Sequence, residues 1–148
     1  NWTFVDRKDE LLQKGDDPKC KDFAIADENG SNVTEVYMNE EQPLFVLVIP
    51  NIKKTDIKSL TQIKEVFKAA TKDGHYTIAL TGSNIEEVKK ILEKEEFNID
   101  IFNSDETPLK TIMRSNPGIL ILKKGTILGK YHHNDQISYA KIKETLEL

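Results

Sequence analysis

Cysteine is nearly absent. Among 148 residues there is one, Cys20, which excludes an internal disulfide, a Cys-x-x-Cys redox pair and a multi-cysteine zinc site. Long apolar runs are missing too. The longest, 43–50, is bounded by Pro43 and Pro50 and falls far short of the ~20 residues a membrane-spanning helix requires. Basic residues are not in excess. Lys and Arg number 21 against 25 Asp and Glu, a net charge of −4, and no long basic run occurs, so the footprint of a nucleic-acid binder is lacking. The sequence holds no phosphate loop, G-x-S-x-G elbow, H-E-x-x-H helix or dinucleotide fingerprint. What is present suffices for a core. Leu, Ile, Val and Phe make up 42 residues, or 28%, above the ~20% below which chains stay disordered. The length is that of one domain.

Periodicity orders the chain. Residues 1–15 carry Asp6-Arg7-Lys8-Asp9-Glu10 where a signal peptide would be apolar, and they read as a lead-in to a domain spanning 16–148. Residues 23–25 form a short extended piece closed by the Asp27-Glu28-Asn29-Gly30 turn. The run 44–49 reads as a strand buried on both faces. From Asp56, Ile57, Leu60, Ile63, Val66, Phe67 and Ala70 fall on one helical stripe that ends at Asp73-Gly74. A second buried strand covers 76–80. Ser83 and Glu86 have the spacing of a capping box, opening a helix with Ile85, Val88, Ile91 and Leu92 on one face. A short strand at 99–102 and a short helix over 108–114 follow, with Pro108 in the first turn. Segments 119–122 and 126–131 flank Lys123-Lys124-Gly125 as a hairpin. A last helix over 137–148 has Ile137, Ala140, Ile142 and Leu146 as its apolar positions. Alternating strands and helices imply a parallel sheet covered on both faces, and the hairpin makes that sheet mixed.

Few residues carry chemistry. Cys20, between Lys19 and Lys21, is the one thiol available for a peroxidase or redox sensor; its place ahead of the first strand suits an incidental or packing residue. His132-His133 with Asp135 is the one metal-like cluster. Adjacent strand residues point to opposite faces, and zinc wants three or four ligands, so the expectation is a polar turn leading to the last helix and no metal. His75 is distant and begins a strand. Asp100, Asp105 and Glu106 offer carboxylates for acid–base work, with Asp105 better placed as a helix-start acceptor. Lys53-Lys54 and Lys123-Lys124 read as solvated turn charges, the latter pair a candidate for lipid head groups. Gly82 stands alone after the second strand and signals nothing. The triplets at Asn1, Asn29 and Asn32 match the N-glycosylation acceptor pattern, which is short enough to recur by chance.

The stretch 22–30 resembles the start of TlpA-like and peroxiredoxin-like members of the thioredoxin-like fold. Asn116-Pro117-Gly118-Ile119-Leu120-Ile121-Leu122, then Lys124-Gly125, resembles their cis-proline loop and following hairpin. FNSDETPLKTIMRSNPGILIL at 102–122 and GTILGKYHHND at 125–135 are similar to the soluble C-terminal domain of Bacteroidetes-type DoxX-family membrane proteins. The resemblance covers roughly 21–137. It implies an α/β three-layer sandwich, a central mixed β-sheet with helices on both faces, and a cis Asn116–Pro117 bond. It further implies a connector at 1–15 leaving a membrane bundle, and a location on the periplasmic side of a bacterial inner membrane. Where redox members carry Cys-x-x-Cys, this chain has Pro50-Asn51-Ile52-Lys53-Lys54-Thr55, with no nucleophile for thiol exchange. The expectation is therefore a redox-inactive domain without cofactor. It would bind the membrane portion of its own protein, or an extended peptide or protein partner, in a groove formed by Pro50, Asn51, Ile52, Arg114, Ser115, Asn116 and Pro117, with Arg114 and Ile52 as side-chain contacts. The alternatives are a divergent one-cysteine peroxidase or oxidoreductase using Cys20, and a purely structural domain.

Overall fold

A computed structural model describes residues 23–148. The lead-in at 1–15, the Asn1 triplet and Cys20 lie outside the described residues. The first described segment is not a strand. Ala26 makes isolated bridges to Asn32 and Asn103, and Asp27 Oδ1 accepts the amides of Asn29 and Ser31 to close the turn. A helix absent from the sequence reading follows, α1 (Thr34–Met38), with no buried residue of its own.

The sheet is built around β1 (Leu44–Ile49), all six residues of which are buried. Helix α2 (Ile57–Lys72) buries the stripe Leu60, Ile63, Val66, Phe67 and Ala70, and stops at Asp73-Gly74 as the sequence predicts. It leads to β2 (Tyr76–Thr81), whose first residue Tyr76 is exposed and whose last four are buried. Helix α3 (Ile85–Lys94) is capped by Asn84, whose side chain accepts the amides of Glu86 and Glu87. The expected Ser83 capping box is thus displaced by one residue. Strand β3 (Asp100–Asn103) and α4 (Glu106–Ile112) follow. The helix expected to reach Arg114 ends two residues earlier, and Asp105 occupies its N-cap position without a side-chain hydrogen bond. Strands β4 (Gly118–Lys123) and β5 (Thr126–His132) form the hairpin. Both turn residues, Lys124 (φ 48°) and Gly125 (φ 70°), are left-handed, the backbone a two-residue turn needs to match strand twist. Helix α5 (Tyr139–Leu146) starts after Ser138, which caps Lys141. Its buried residue is Ile142, and Ala140 is exposed.

Strand order is β3-β2-β1-β4-β5. β1 pairs in parallel with β2 and antiparallel with β4. Crossovers of one hand through α2 and α3 put both helices on the same face. There Phe45, Leu47, Ile49, Ala79, Ile119 and Ile121 meet Leu60, Phe67, Val88, Leu92 and Ile142. The alternate residues Leu44, Val46, Val48, Ile78, Leu80, Leu120 and Leu122 pack on Ile25, Leu109 and Met113, with Tyr37 and Met38 of α1 alongside. The result is the three-layer α/β arrangement, a mixed sheet with helices on both faces. Each such buried side chain contributes roughly 1.5–3 kcal/mol through the area it removes from water. No helix among the described residues is long and apolar enough to cross a membrane.

Candidate functional site

Topology gathers the site. The parallel strands β1, β2 and β3 end at Ile49, Thr81 and Asn103, and β4, running the other way, begins beside them: Val48 pairs with Gly118. The segments 50–56, 82–84, 104–106 and 113–117 therefore meet at one end of the sheet, the end where α/β folds place their ligands.

Hydrogen bonds fix these segments to one another. After Pro50 the chain makes a 3-10 turn, Ile52–Lys54, capped by Asn51, whose Oδ1 accepts the Lys53 amide. The Ile52 amide donates to Ser83 Oγ at 3.0 Å. That bond is what the Ser83 hydroxyl does in place of capping α3. Asn103 Nδ2 donates to the carbonyls of Thr81 and Ser83. Asn116 ties the cis-proline loop to the 50–56 segment three ways. Its Nδ2 donates to the Asn51 carbonyl at 2.7 Å, its Oδ1 accepts from Thr55 Oγ1 at 2.8 Å, and its carbonyl accepts the Asp56 amide at 3.2 Å. The Asn116–Pro117 peptide is cis.

Gly82 lies at the centre of this end. A Cβ there would sit 2.7 Å from the Pro50 carbonyl oxygen and 2.8 Å from both Cα and Cβ of Glu106. The residue read as uninformative in the sequence thus sets how closely the Pro50 turn approaches α4.

A groove of about 410 Å³ opens between these segments, lined by Pro50, Asn51, Lys54, Lys110, Met113, Arg114, Ser115 and Asn116. Of the seven residues expected to form it, five line it. Ile52 does not: it is 4% exposed and belongs to the core cluster beneath α2, so it offers no side-chain contact. Its amide is held by Ser83, which turns its side chain inward. Pro117 is buried below the loop. Ser115 is 2% exposed, so its contribution to the groove is main chain. Among the described residues, the amides of Arg114, Ser115 and Asn116 and the Ser115 carbonyl have no hydrogen-bond partner. Sequence reasoning missed Lys54 and Lys110 as lining residues, although Lys54 sits within the segment it singled out.

Ser115 is locked from below. Its Oγ accepts the His133 amide at 3.0 Å, lies 2.8 Å from His133 Nδ1, and donates to the Pro117 carbonyl. A carbonyl only accepts, so the serine proton points to Pro117 and His133 Nδ1 is the donor to Oγ. His133 Nε2 stands 3.9 Å from Asp56 Oδ2. Ser, His and Asp are thus brought together, but the hydroxyl is buried and its proton committed, which removes it as a nucleophile. His132 plays a separate part. Its Nδ1 accepts the Asn134 amide while Asp135 Oδ2 accepts the His132 amide, a reciprocal cap on the turn after β5. The two rings stack with centroids 4.2 Å apart. No group of three or more metal-ligating side chains forms among the described residues. His75 packs against the rings of Phe45 and Tyr139, which also touch each other.

Asp100 does not join Asp105 and Glu106. Asp100 opens β3, opposite Ile78, while Glu106 lies at the far end of the strands. Glu106 is engaged with Lys110 at 2.5 Å and Asn51 Nδ2 at 3.4 Å. The Lys110 hydrogen bond, then that of Asn51, holds its carboxyl below the usual range. Of the hairpin lysines, Lys124 bridges to Glu41 at 3.4 Å.

Strand order, the mixed sheet with helices on both faces and the loop at Pro117 define a thioredoxin-like α/β fold, and solved structures agree. The chain is similar to StoA from Bacillus subtilis (TM-score 0.54, 14% identity, covering 83% of this chain and 94% of that one). It is similar to the thioredoxin domain of a thiol-disulfide oxidoreductase from Bacteroides vulgatus (0.58, 14%, 84% and 91%). It is also similar to the exposed lipoprotein thioredoxin of Streptococcus pneumoniae (0.56, 14%, 84% and 97%). At such identity the likeness establishes the fold alone. No family model and no curated protein sequence matches the chain.

Proposed function

We propose that this thioredoxin-like domain is a binding module without thiol chemistry, and that it receives an extended segment of a partner protein in the groove between Pro50-Asn51 and Arg114-Ser115-Asn116. The observation that carries this reading is that the amides of 114–116 and the Ser115 carbonyl have no partner among the described residues, along a groove of about 410 Å³. Backbone groups left without a partner next to a sheet accept an added strand through main-chain bonds, with no need of a thiol. The turn 50–55, where the fold's redox members carry their thiols, has neither cysteine nor serine. The likeness of 102–135 to DoxX-type proteins supports a finer reading. The domain is the soluble portion of such a membrane protein, on the periplasmic side, with the membrane portion or an associated chain as partner.

The test is an NMR titration of the 148-residue chain, with synthetic loops of a DoxX-type membrane portion and with a neutral extended hexapeptide. Amide shifts clustering at Asn51 and 114–116, unchanged in Cys20→Ser, are expected. Shifts confined to α3 and α5, or none at millimolar peptide, would overturn the reading. So would dithiol or peroxide turnover that disappears in Cys20→Ser.

A further inference from the structure

Main-chain pairing holds a strand but does not choose one; the choice lies with the side chains at the rim. Here the rim is cationic. Lys54 on the 3-10 turn, Lys110 on α4 and Arg114 on the loop all line the groove and are exposed, on a chain whose net charge is −4. The adjoining carboxylate, Glu106, is already engaged by Lys110 and Asn51. Neither Asp56 nor Asp105 lines the groove. Asp56 is turned elsewhere, with Oδ1 on the Lys58 amide and Oδ2 toward His133. Among the described residues Lys54 and Arg114 have no carboxylate within ion-pair distance. Arg114 presents a planar fork that matches a carboxylate in bidentate fashion.

We infer that the occupant of this groove is acidic: an extended protein segment bearing Asp or Glu side chains that meet Lys54 and Arg114 while its main chain pairs with 114–116. The inference rests on the binding reading above and narrows it to one class of partner. Lys110 is already paired with Glu106 at 2.5 Å, so the contacts to the incoming segment fall to Lys54 and Arg114.

The experiment compares two capped hexapeptides, Thr-Glu-Val-Glu-Val-Thr and its Gln-for-Glu isostere, by fluorescence anisotropy with the 148-residue chain. Two exposed ion pairs support a preference of roughly tenfold for the Glu peptide at low salt, collapsing toward unity at about 1 M salt, where the Debye length is near 3 Å. In the Lys54→Gln, Arg114→Gln double variant the Glu-to-Gln affinity ratio falls to near one. In a control carrying Lys72→Gln and Lys94→Gln, remote lysines at the ends of α2 and α3, the ratio is kept. Equal binding of both peptides to the wild-type chain overturns the inference and leaves the binding reading standing. So does a preference that survives in the double variant or in high salt. Failure of both peptides to bind at millimolar concentration overturns the binding reading itself.

Discussion

Replacing Gly82 by alanine tests whether the site end is as tightly built as its distances state. The new methyl carbon would sit 2.7 Å from the Pro50 carbonyl oxygen and 2.8 Å from Cα and Cβ of Glu106, where ordinary contact begins at 3.4 Å. The shortfall is 0.6–0.7 Å at each of the three atoms. Two of those atoms are backbone and the third is bonded to it, so no side-chain rotation relieves the clash. Overpacking of this kind costs about 1–3 kcal/mol. Against it stands a gain of about 0.4–1 kcal/mol from the stiffer unfolded chain. Net destabilisation is therefore about 1–2 kcal/mol, or a fall in Tm of roughly 4–8 °C for a domain of this size. Urea denaturation with an unchanged slope measures it, and the amides of Asn51 and Glu106 should shift most. An alanine variant as stable as the wild type, or more so, with those amides unmoved, would refute the reasoning.

Asn116→Ala removes two of the three bonds between the groove's rims and should cost about 1–2 kcal/mol, with faster amide exchange across 51–56; a loss of only a few tenths would show the clamp to be incidental. Asp73 is held below the ordinary carboxylate range chiefly by its hydrogen bond from Lys143, then by that from Tyr139. Because its native pKa is depressed, its stabilising effect is full above the unfolded value near 3.9 and is lost as pH falls through the native one. The Asp73 carboxyl should titrate nearer the ordinary value in Lys143→Met, and an unchanged midpoint would contradict the assignment. Tyr139, pushed up to about 12 first by burial and then by its bond to Asp73, should stay unionised at pH 10 in ultraviolet titration, and loss of its proton there would count against the packing described. For His133, the nitrogen-15 spectrum should show a proton on Nδ1; a spectrum showing the bare Nδ1 of the other tautomer would reverse the direction assigned to the Ser115 bond.

The elements with a strong period were legible. A run of six apolar residues between prolines reads as a central strand because only a strand covered on both faces lacks alternation. Five of the six residues of the α2 stripe are buried, and the sixth, Ile57 in the first turn, is partly buried against the same cluster. Helix α1 was hidden because one turn with nothing buried leaves no period; Thr34 Oγ1, accepting the Ile25 amide and bonded to Asn32, anchors it instead. Ser83 and Asn84 are both good caps, and which one served depended on the Ile52 amide thirty-one residues away claiming Ser83. The groove's loops were legible from the resemblance around Pro117, but the inward turn of Ile52 was not, since it follows from that same bond. The His133–Ser115 contact depends on a bulge. Counting from Lys123↔Thr126 would place Tyr131 opposite Gly118; the shift at Ile121/Leu122 puts His132 there and carries His133 on to Ser115.

The Asn116 clamp also bears on when the groove comes into being as the chain folds. The hairpin of β4 and β5 closes over two residues, whereas the bond from Asn116 to Asn51 spans 65. Closing a loop of that length costs roughly 4 kcal/mol in chain entropy, plus a constant, which a few hydrogen bonds of about 1 kcal/mol each do not offset. The closure is driven by β1 seating against β4, five residue pairs from Leu44↔Leu122 to Val48↔Gly118. The two rims of the groove therefore meet only after the central strand has joined both halves of the sheet. A nascent chain halted before β4 carries Pro50 and Asn51 but no second rim, so the groove exists only once β4 has been made and seated against β1.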